Sequence, residues 1–266
     1  KGRELISGFD GSAGTAVVTM DSAALWTDSR YFLAAEKQLE GTSFQLMRLK
    51  VKGTPTIARW LADKLKDTNA QVGVDGMCNN VSSVENLIHE LRRQGCITVR
   101  TNFDPLNEIW KDRPAIPDHK MEVYPMKYAG ETALSKMRRV RATLCDMGAD
   151  GMLVSALDDI AWLLNLRGTD VHCNPVFVAY LLLSTDKATL FIDKAKLTPQ
   201  VEEYLKAQDV GMESYDKVGE GLREYFEYNI LLDPEETSYT LYNIIASADS
   251  KAYAKSIVRH ASPIPA

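Results

Sequence analysis

The sequence predicts an α/β protein of two tandem, related domains, each with a mixed β-sheet flanked by helices. Three observations lead to this prediction. Short apolar runs of strand character alternate with longer amphipathic runs along all 266 residues. Prolines concentrate between residues 104 and 125, and the order of segments before that stretch recurs after it. We therefore expect one domain over residues 1–124 and a second over residues 125–266.

The first half alternates predicted strands with predicted helices. The strands are expected at residues 15–19, 24–27, 44–49, 71–74 and 96–100. The helices are expected at residues 31–39, 54–66 and 82–94. Thr54 followed by Pro55 is typical of an N-cap and a first helical position. Ser82 and Glu85 have the spacing of a capping box, which predicts the start of the third helix.

The stretch from Asp104 to Pro125 changes in character. It contains Pro105, Pro114 and Pro117 before it ends at Pro125. Proline lacks a backbone donor and restricts the residue before it, so regular structure is not expected to persist here. We place the boundary between the two domains in this stretch.

The second half repeats the alternation. Helices are expected at residues 132–147, 161–164, 198–207, 217–226 and from about 238 onward. Strands are expected at residues 152–155, 176–183, 189–192 and 230–232. Gly148 is expected to end the first of these helices, because glycine adopts the left-handed conformation found just after many helices.

Corresponding segments in the two halves indicate a duplicated domain. The matched pairs are Gly8–Asp10 with Gly168–Asp170, residues 15–27 with 176–192, Thr27–Arg30 with Ile192–Lys194, and Val72–Asp75 with Ile230–Asp233. The copies number only two and have diverged, which distinguishes a duplication from a solenoid of many repeats.

Composition excludes several classes of protein. The net charge of −5 argues against nucleic acid as a partner, since nucleic acid binding needs a basic surface. No apolar run approaches the ~20 residues that span a bilayer, so no membrane segment is expected. The four cysteines are scattered without a C-x-x-C pair, which is typical of reduced, partly buried thiols in a cytosolic protein, although spacing alone leaves a disulfide open. The chain begins without Met and without a signal-peptide pattern, so upstream sequence is left open.

Gly8, Gly11 and Gly14 form the most conspicuous run in the sequence. A phosphate-binding loop would need a following Gly-Lys-Ser/Thr, and a dinucleotide-binding loop would need a preceding strand and a following helix. Here a predicted strand follows the glycines instead. We interpret the run as a turn that needs positive φ or close backbone approach.

Arg30 is the one candidate ligand-binding residue. It follows a predicted strand and precedes a predicted helix, a position where loops often carry function. Its fork of donors suits a carboxylate or a peptide carbonyl. The alternative is a bond within the domain, to Asp28 or to a backbone carbonyl. The neighbouring Trp26 and Tyr31 are interpreted as core residues.

No metal site and no hydrolase motif is recognisable elsewhere. The four histidines lie far apart, at His89, His119, His172 and His260, with no H-E-x-x-H pattern. There is no G-x-S-x-G elbow. The dense run from Asn165 to Phe177 is either a structural connection between a helix and a strand or a loop that faces a cleft or a partner domain.

Several motifs resemble the N-terminal region of cytosolic aminopeptidase P members of the creatinase/prolidase family. The matching segments are Ser7–Ala16, Trp26–Leu33, Ile109–Pro114, Ala156–Gly168, Asp170–Val171 and Asn174–Phe177. They occur in one order and span most of the chain. The resemblance implies two N-terminal domains of ribonuclease-H-like (creatinase N-terminal) fold that precede a C-terminal metallopeptidase domain of pita-bread fold.

The resemblance also implies a function for the whole protein. Family members of this type release the N-terminal residue from peptides with proline in second position, using two metal ions, usually Mn²⁺, held by the C-terminal domain. This chain ends about where that domain is expected to begin, so no metal ligand and no catalytic residue is assigned here. The position that matches a substrate-binding residue is Arg30, and Ser29 stands where relatives often have glycine. A positive φ at Ser29 would strain the backbone and shift Arg30.

Our leading hypothesis is the non-catalytic N-terminal region of a cytoplasmic, homodimeric, metal-dependent Xaa-Pro aminopeptidase. In this hypothesis the region assists substrate access and dimerisation. The alternative is a catalytically inactive relative that binds a peptide or a protein. A creatinase or dipeptidase of the same fold fits less well, since those relatives resemble proteins with only one such N-terminal domain.

Overall fold

The computed structural model describes residues 1–65, 70–95, 97–225 and 228–246, together with the backbone of residues 252–254. The chain divides into two compact units. The first contains Lys1–Asp75 and Val84–Arg113, and the second contains Gly76–Ser83 and the chain from Pro114 onward. The crossing between Arg113 and Pro114 lies inside the proline-rich stretch. The domain limits at residues 124 and 125 stay a prediction.

The first unit contains two small sheets with helices between their strands. Its elements are α1 (Gly2–Ser7), β1 (Thr15–Val18), β2 (Ala23–Thr27), α2 (Phe32–Leu39), β3 (Phe44–Arg48), α3 (Ile57–Lys64), β4 (Gln71–Gly73), α4 (Val81–Gln94) from Val84 onward, and β5 (Thr98–Arg100). Strand β2 is central: it pairs antiparallel with β1 and parallel with β3. Strands β4 and β5 pair in parallel.

Strand β2 is buried along its whole length, which explains its continuous apolar sequence. Because successive side chains point to opposite faces, Trp26 packs in one cluster with Trp60 of α3, while Leu25 packs in another with Phe9. The Trp26 and Trp60 rings meet edge to face at 5.6 Å, and the Trp26 indole nitrogen donates to the Pro55 carbonyl at 2.9 Å. The interpretation of Trp26 as a core residue is confirmed.

The second unit is built on a six-stranded mixed sheet. Its elements are β6 (Glu122–Val123), α5 (Met126–Ala129), α6 (Ala133–Asp146), β7 (Gly151–Val154), α7 (Leu157–Leu164), β8 (Leu166–Arg167), β9 (Ala179–Ser184), β10 (Ala188–Ile192), α8 (Pro199–Ala207), β11 (Gly211–Ser214), α9 (Val218–Arg223), β12 (Ile230–Leu232), α10 (Tyr239–Ala246) and β13 (Ala252–Ala254). The strand order is β11-β10-β9-β7-β12-β13. Strand β9 is antiparallel to β7 and β10, and the other neighbours are parallel. Strands β6 and β8 form a separate antiparallel pair.

Apolar residues cover both faces of this sheet. On β7, Met152 and Val154 belong to one buried cluster and Leu153 to the other. The same alternation on β10 sends Leu190 to the first cluster and Phe191 to the second. A sheet covered on both faces by helices accounts for the near-continuous apolar runs that mark its central strands.

The α/β class and the mixed sheets are confirmed, but several element boundaries were predicted wrongly. Helix α3 begins at Ile57, with Thr56 as its N-cap accepting a hydrogen bond from the Arg59 amide, so the cap is not Thr54. Strand β9 begins at Ala179 rather than at residue 176, because the Val178 amide is bound by an Asp170 carboxylate oxygen at 2.8 Å instead of by a neighbouring strand. Six short elements were not predicted: α1, β6, α5, β8, β11 and β13.

The two units repeat one arrangement of elements. In each, an antiparallel strand pair is followed by a helix and a strand parallel to the second member, as β1-β2-α2-β3 and as β9-β10-α8-β11. Each then has a strand-helix-strand unit with a parallel pair, β4-α4-β5 and β12-α10-β13. The duplication inferred from the sequence is therefore confirmed by the repeated order and pairing of elements in the two units.

Candidate functional site

Arg30 lies in the loop where β2 leaves the core of the first unit. Thr27, the last residue of β2, is fully buried and its hydroxyl donates to the Ala13 carbonyl at 2.6 Å. The chain then turns, with the Tyr31 amide donating to the Asp28 carbonyl at 3.0 Å, and α2 starts at Phe32. This turn brings Arg30 to the surface, where 67% of its side chain is exposed.

Asp28 holds both the backbone and the side chain of Arg30. Its Oδ1 accepts from the Arg30 amide at 3.1 Å and from Nε at 2.9 Å, and its Oδ2 accepts from Nη2 at 2.8 Å. The paired guanidinium lowers the pKa of Asp28 to about 2, and the Arg30 pKa is raised in turn by the same hydrogen bonds. The bond to Asp28 that was the alternative for Arg30 is therefore present, and the substrate role stays a prediction.

The pairing with Asp28 leaves one edge of the guanidinium available. Arginine has five N–H donors in a fixed plane, and the carboxylate takes one on Nε and one on Nη2. Within the part of the chain that the structure describes, both donors of Nη1 and the second donor of Nη2 have no hydrogen-bond partner. Two of these point the same way, which is the geometry that binds a carboxylate or a carbonyl oxygen in a bidentate or bifurcated manner.

The guanidinium of Arg30 packs over the ring of Tyr31. The guanidinium carbon lies 5.4 Å from the ring centroid. The Tyr31 hydroxyl lies within hydrogen-bonding distance of the Ser12 hydroxyl, at 2.6 Å. The Tyr31 ring also meets the ring of buried Phe9 edge to face, with 5.9 Å between the ring centroids. Tyr31 therefore joins the core to the exposed arginine.

The glycine run shapes the loop that supplies Ser12. Gly8 ends α1 with a φ of 73°, a left-handed conformation that other residues adopt only with strain. A Cβ on Gly14 would lie 2.9 Å from the Trp26 carbonyl oxygen, so only glycine permits this approach to β2. Arg3 donates to the carbonyls of Gly11 and Gly14. The interpretation of the glycine run as a turn that needs positive φ or close backbone approach is confirmed.

Ser29 does not strain this loop. The residues other than glycine with positive φ in the described chain are Lys50, Asn165, Cys173 and Asp209. Ser29 is absent from this group, so its backbone is not in the left-handed region and carries no strain of that kind. The condition under which strain was expected, a positive φ at Ser29, is not met.

The dense run from Asn165 to Phe177 is anchored by charged and amide groups. Asn165 caps α7 with a φ of 52° and hydrogen-bonds the buried Lys136 and the Glu131 carbonyl. The carboxylate of Asp170 is fully buried and pairs with the equally buried Lys196. His119 lies 3.5 Å from the second oxygen of that carboxylate. Residues 171–175 form an exposed turn between these anchors.

A pocket of about 300 Å³ lies in the second unit, just beyond the ends of β7 and β12. Its lining residues include Met77, Asn80, Ser155, Tyr180, Tyr215 and Glu235. The Tyr180 and Tyr215 rings stack at 5.2 Å, and burial raises the pKa of Tyr180. No residue that the sequence predicts as a candidate site lines this pocket, whose walls come from segments that are far apart in sequence.

Some site types are not found in the part of the chain that the structure describes. There, no group of three or more His, Cys, Asp and Glu residues could hold a metal ion. No helix of the described residues is long and apolar enough to cross a membrane. Cys78, Cys145 and Cys173 are exposed, which corrects the expectation of partly buried thiols, while Cys96 and His260 lie outside the described residues.

Family models match nearly the whole chain. Two models, both described as a creatinase/prolidase N-terminal domain, match residues 3–107 and residues 112–265. Their order along the chain is that of the two structural units.

Individual relatives agree with the family models. Aminopeptidase P2 of Arabidopsis thaliana is 40% identical over 250 residues, which cover 92% of this chain and 35% of that protein. A probable Xaa-Pro aminopeptidase P of Penicillium rubens is 41% identical over 217 residues, 81% of this chain and 35% of that protein. The chain therefore spans about a third of the length of the curated relatives it matches.

One solved structure is similar over almost the entire chain. It is the crystal structure of X-prolyl aminopeptidase from Caenorhabditis elegans, described as a cytosolic enzyme with a di-nuclear active site. The similarity has a TM-score of 0.90 at 28% identity and covers 98% of this chain and 43% of that one. The arrangement of elements described above is thus similar to that of one part of the Caenorhabditis elegans chain.

Proposed function

We propose that this chain, which belongs to the creatinase/prolidase family, is the N-terminal, non-catalytic region of a metal-dependent Xaa-Pro aminopeptidase. The whole enzyme releases the N-terminal residue from peptides with proline in second position. The proposal is supported by relatives that are aminopeptidases and by the coverage of only about a third of their length. We place the enzyme in the cytoplasm, as a homodimer.

The catalytic metal belongs elsewhere in this proposal. Two metal ions, Mn²⁺ by the family resemblance, act in a catalytic domain beyond this chain, where they supply a nucleophilic hydroxide near neutral pH. The described residues offer no cluster of metal ligands, so no step of the reaction is assigned to them. The region assists substrate access and dimerisation instead.

Arg30 is the residue that we propose to contact the peptide. The observation that supports this role is its geometry: an exposed guanidinium, fixed on one side by Asp28 and open on the other. A peptide offers carbonyl oxygens and a terminal carboxylate as acceptors for the open edge.

The test is Arg30→Ala in the full-length enzyme. We expect kcat/KM for an Xaa-Pro peptide to fall by about ten- to hundredfold, because a hydrogen bond to a charged group contributes roughly 1.5–3 kcal/mol and 1.4 kcal/mol is about tenfold. Arg48→Ala is the matched control, since Arg48 is also exposed and paired with a carboxylate, that of Glu36. If Arg30→Ala has the kinetics of the wild type, Arg30 does not bind substrate.

A further inference from the structure

We infer that Asp28 is a positioning residue that acts through Arg30, aiming the open edge of the guanidinium at the acceptor it binds. The inference rests on the proposed substrate role of Arg30. It goes further by assigning a function to a carboxylate that does not itself touch the ligand.

Asp28 fixes both the backbone and the guanidinium of Arg30. Asp28 accepts three hydrogen bonds from Arg30, at 2.8–3.1 Å, from the amide, Nε and Nη2. The amide bond fixes the backbone of the loop, and the two guanidinium bonds fix the plane of the side chain. A single contact would leave the guanidinium free to rotate, whereas this pair of parallel bonds allows one orientation.

Asp28 is itself anchored at the end of β2. It directly follows Thr27, which is buried at the end of β2 and bonded to the Ala13 carbonyl. Its own carbonyl accepts from the Tyr31 amide at the start of α2. The carboxylate therefore projects from a rigid strand end, which suits a group that must hold another in place.

A comparison inside the chain separates this role from simple turn formation. Asp193 occupies the matching position after β10, and its Oδ1 accepts from the Ala195 amide at 2.9 Å. The corresponding Asp28 contact to the Arg30 amide is 3.1 Å long. Both aspartates thus build the same turn, but only in the first unit does an arginine stand two residues later, where the carboxylate also binds its guanidinium.

The pairing of Asp28 with Arg30 also affects which acceptors the open edge binds. Asp28 is ionised at any pH near neutrality and compensates much of the charge of Arg30. Recognition by the open edge then depends on directed hydrogen bonds more than on net positive charge. This favours a peptide carbonyl or carboxylate presented in one orientation over anions in general.

Fixing an exposed arginine in advance also favours binding. A long flexible side chain loses conformational freedom when it is immobilised by a ligand. Asp28 on one edge and the Tyr31 ring, 5.4 Å from the guanidinium carbon, restrict Arg30 before a ligand arrives. Removing Asp28 should therefore weaken binding of the substrate while the chemical step is retained.

The experiment is a double-mutant cycle in the full-length enzyme: wild type, Asp28→Ala, Arg30→Ala and the double variant. We expect Asp28→Ala alone to lower kcat/KM by about three- to tenfold, mainly through KM, and to have less than a twofold effect when Arg30 is already alanine. Asp28→Asn, which keeps the shape and one acceptor oxygen, should fall between Asp28→Ala and the wild type. It also carries the test if Asp28→Ala does not fold, as judged by thermal unfolding.

The outcomes distinguish the inference from the function on which it rests. If Asp28→Ala lowers kcat/KM equally in both backgrounds, Asp28 does not act through Arg30 and the inference is wrong. The same holds if Arg30→Ala lowers kcat/KM and Asp28→Ala leaves it unchanged. If Arg30→Ala itself has no effect, the substrate role of Arg30 fails, and the positioning role fails with it.

Discussion

Single charged residues in this protein are held in two contrasting ways. Arg30 is exposed and paired with Asp28, only two residues away, so the sequence alone allows this pair to be recognised. Lys196 and Asp170 are buried and lie far apart in sequence. A buried charge is costly unless it is paired and hydrogen-bonded, and these two residues carry opposite charges and are hydrogen-bonded to each other. Asp170 was visible as a repeat of Asp10, whereas its lysine partner carried no sequence signal.

Lys136 is a third case, a buried lysine held mainly by neutral groups. It is 3% exposed, and its amine donates to the Trp162 carbonyl at 2.8 Å and to the Asn165 side chain at 2.7 Å. The amine also lies 4.3 Å from the centroid of the Trp162 ring. Burial lowers the pKa of Lys136 from 10.5 to about 8, an effect that the charge of Glu131 opposes.

This shift predicts a pH dependence of stability that belongs to Lys136. Below pH 8 the lysine is protonated in both states. Between about pH 8 and 10.5 the folded protein loses this proton before the unfolded chain does, so stability rises with pH in that window. We expect the unfolding free energy of the wild type to gain about 1–3 kcal/mol relative to Lys136→Met over this range.

The measurement is urea unfolding of both proteins at pH 7, 8, 9 and 10.5. Comparison with Lys136→Met removes the titration of other groups, which the two proteins share. A constant difference across this range would show that Lys136 keeps an ordinary pKa in the folded state.

At the scale of elements, helix ends were the most predictable features where a specific residue type is required. Gly148 ends α6 with a φ of 66°, as expected from its position after an apolar periodic run. Thr198 and Pro199 start α8 as N-cap and first helical residue. Elements without such signals, such as the edge strand β11, were missed because a short alternating segment gains its identity only from pairing with β10.

The glycine at the end of α6 allows a controlled test of backbone strain. Gly148 and Gly95 both follow helices, and a Cβ on either would meet no atom within 4 Å. Only Gly148 has a positive φ. We expect Gly148→Ala to lower the free energy of unfolding by about 1 kcal/mol, since a left-handed conformation disfavours alanine by roughly that amount.

Gly95→Ala is the matched control and should be neutral or slightly stabilising, because alanine restricts the unfolded chain. Chemical denaturation of the two variants and the wild type gives the comparison. Equal losses in both variants would mean that the position after a helix, rather than the sign of φ, determines the cost.

For the whole molecule, the duplication is seen both in the repeated order of elements and in the two family matches. The order β1-β2-α2-β3 recurs as β9-β10-α8-β11, and each unit matches its own creatinase/prolidase N-terminal model. The loop after the second strand differs between the copies, since only the first copy has an arginine there. The proposed substrate contact therefore belongs to the first unit alone, because the loop that carries Arg30 has diverged between the two units.

From the proposed non-catalytic role, we predict that this chain has no peptidase activity of its own. The described residues contain no cluster of metal ligands, and the chain covers about a third of its peptidase relatives. We expect the 266-residue chain to release no residue from an Xaa-Pro peptide in the presence of Mn²⁺. The full-length protein, assayed under the same conditions, is the positive control. Turnover by the chain above the buffer blank would refute the non-catalytic assignment.

Sequence by itself determined the α/β class, the duplication, the family and the single arginine of interest. These follow from local patterns and motifs, which are properties of neighbouring residues. Only the tertiary structure decided that Asp28 and Tyr31 restrain Arg30, that Lys196 neutralises Asp170, and that Ser29 is unstrained. Those facts depend on which atoms the folded backbone brings within a few ångströms of each other, a distance that spacing along the chain does not specify.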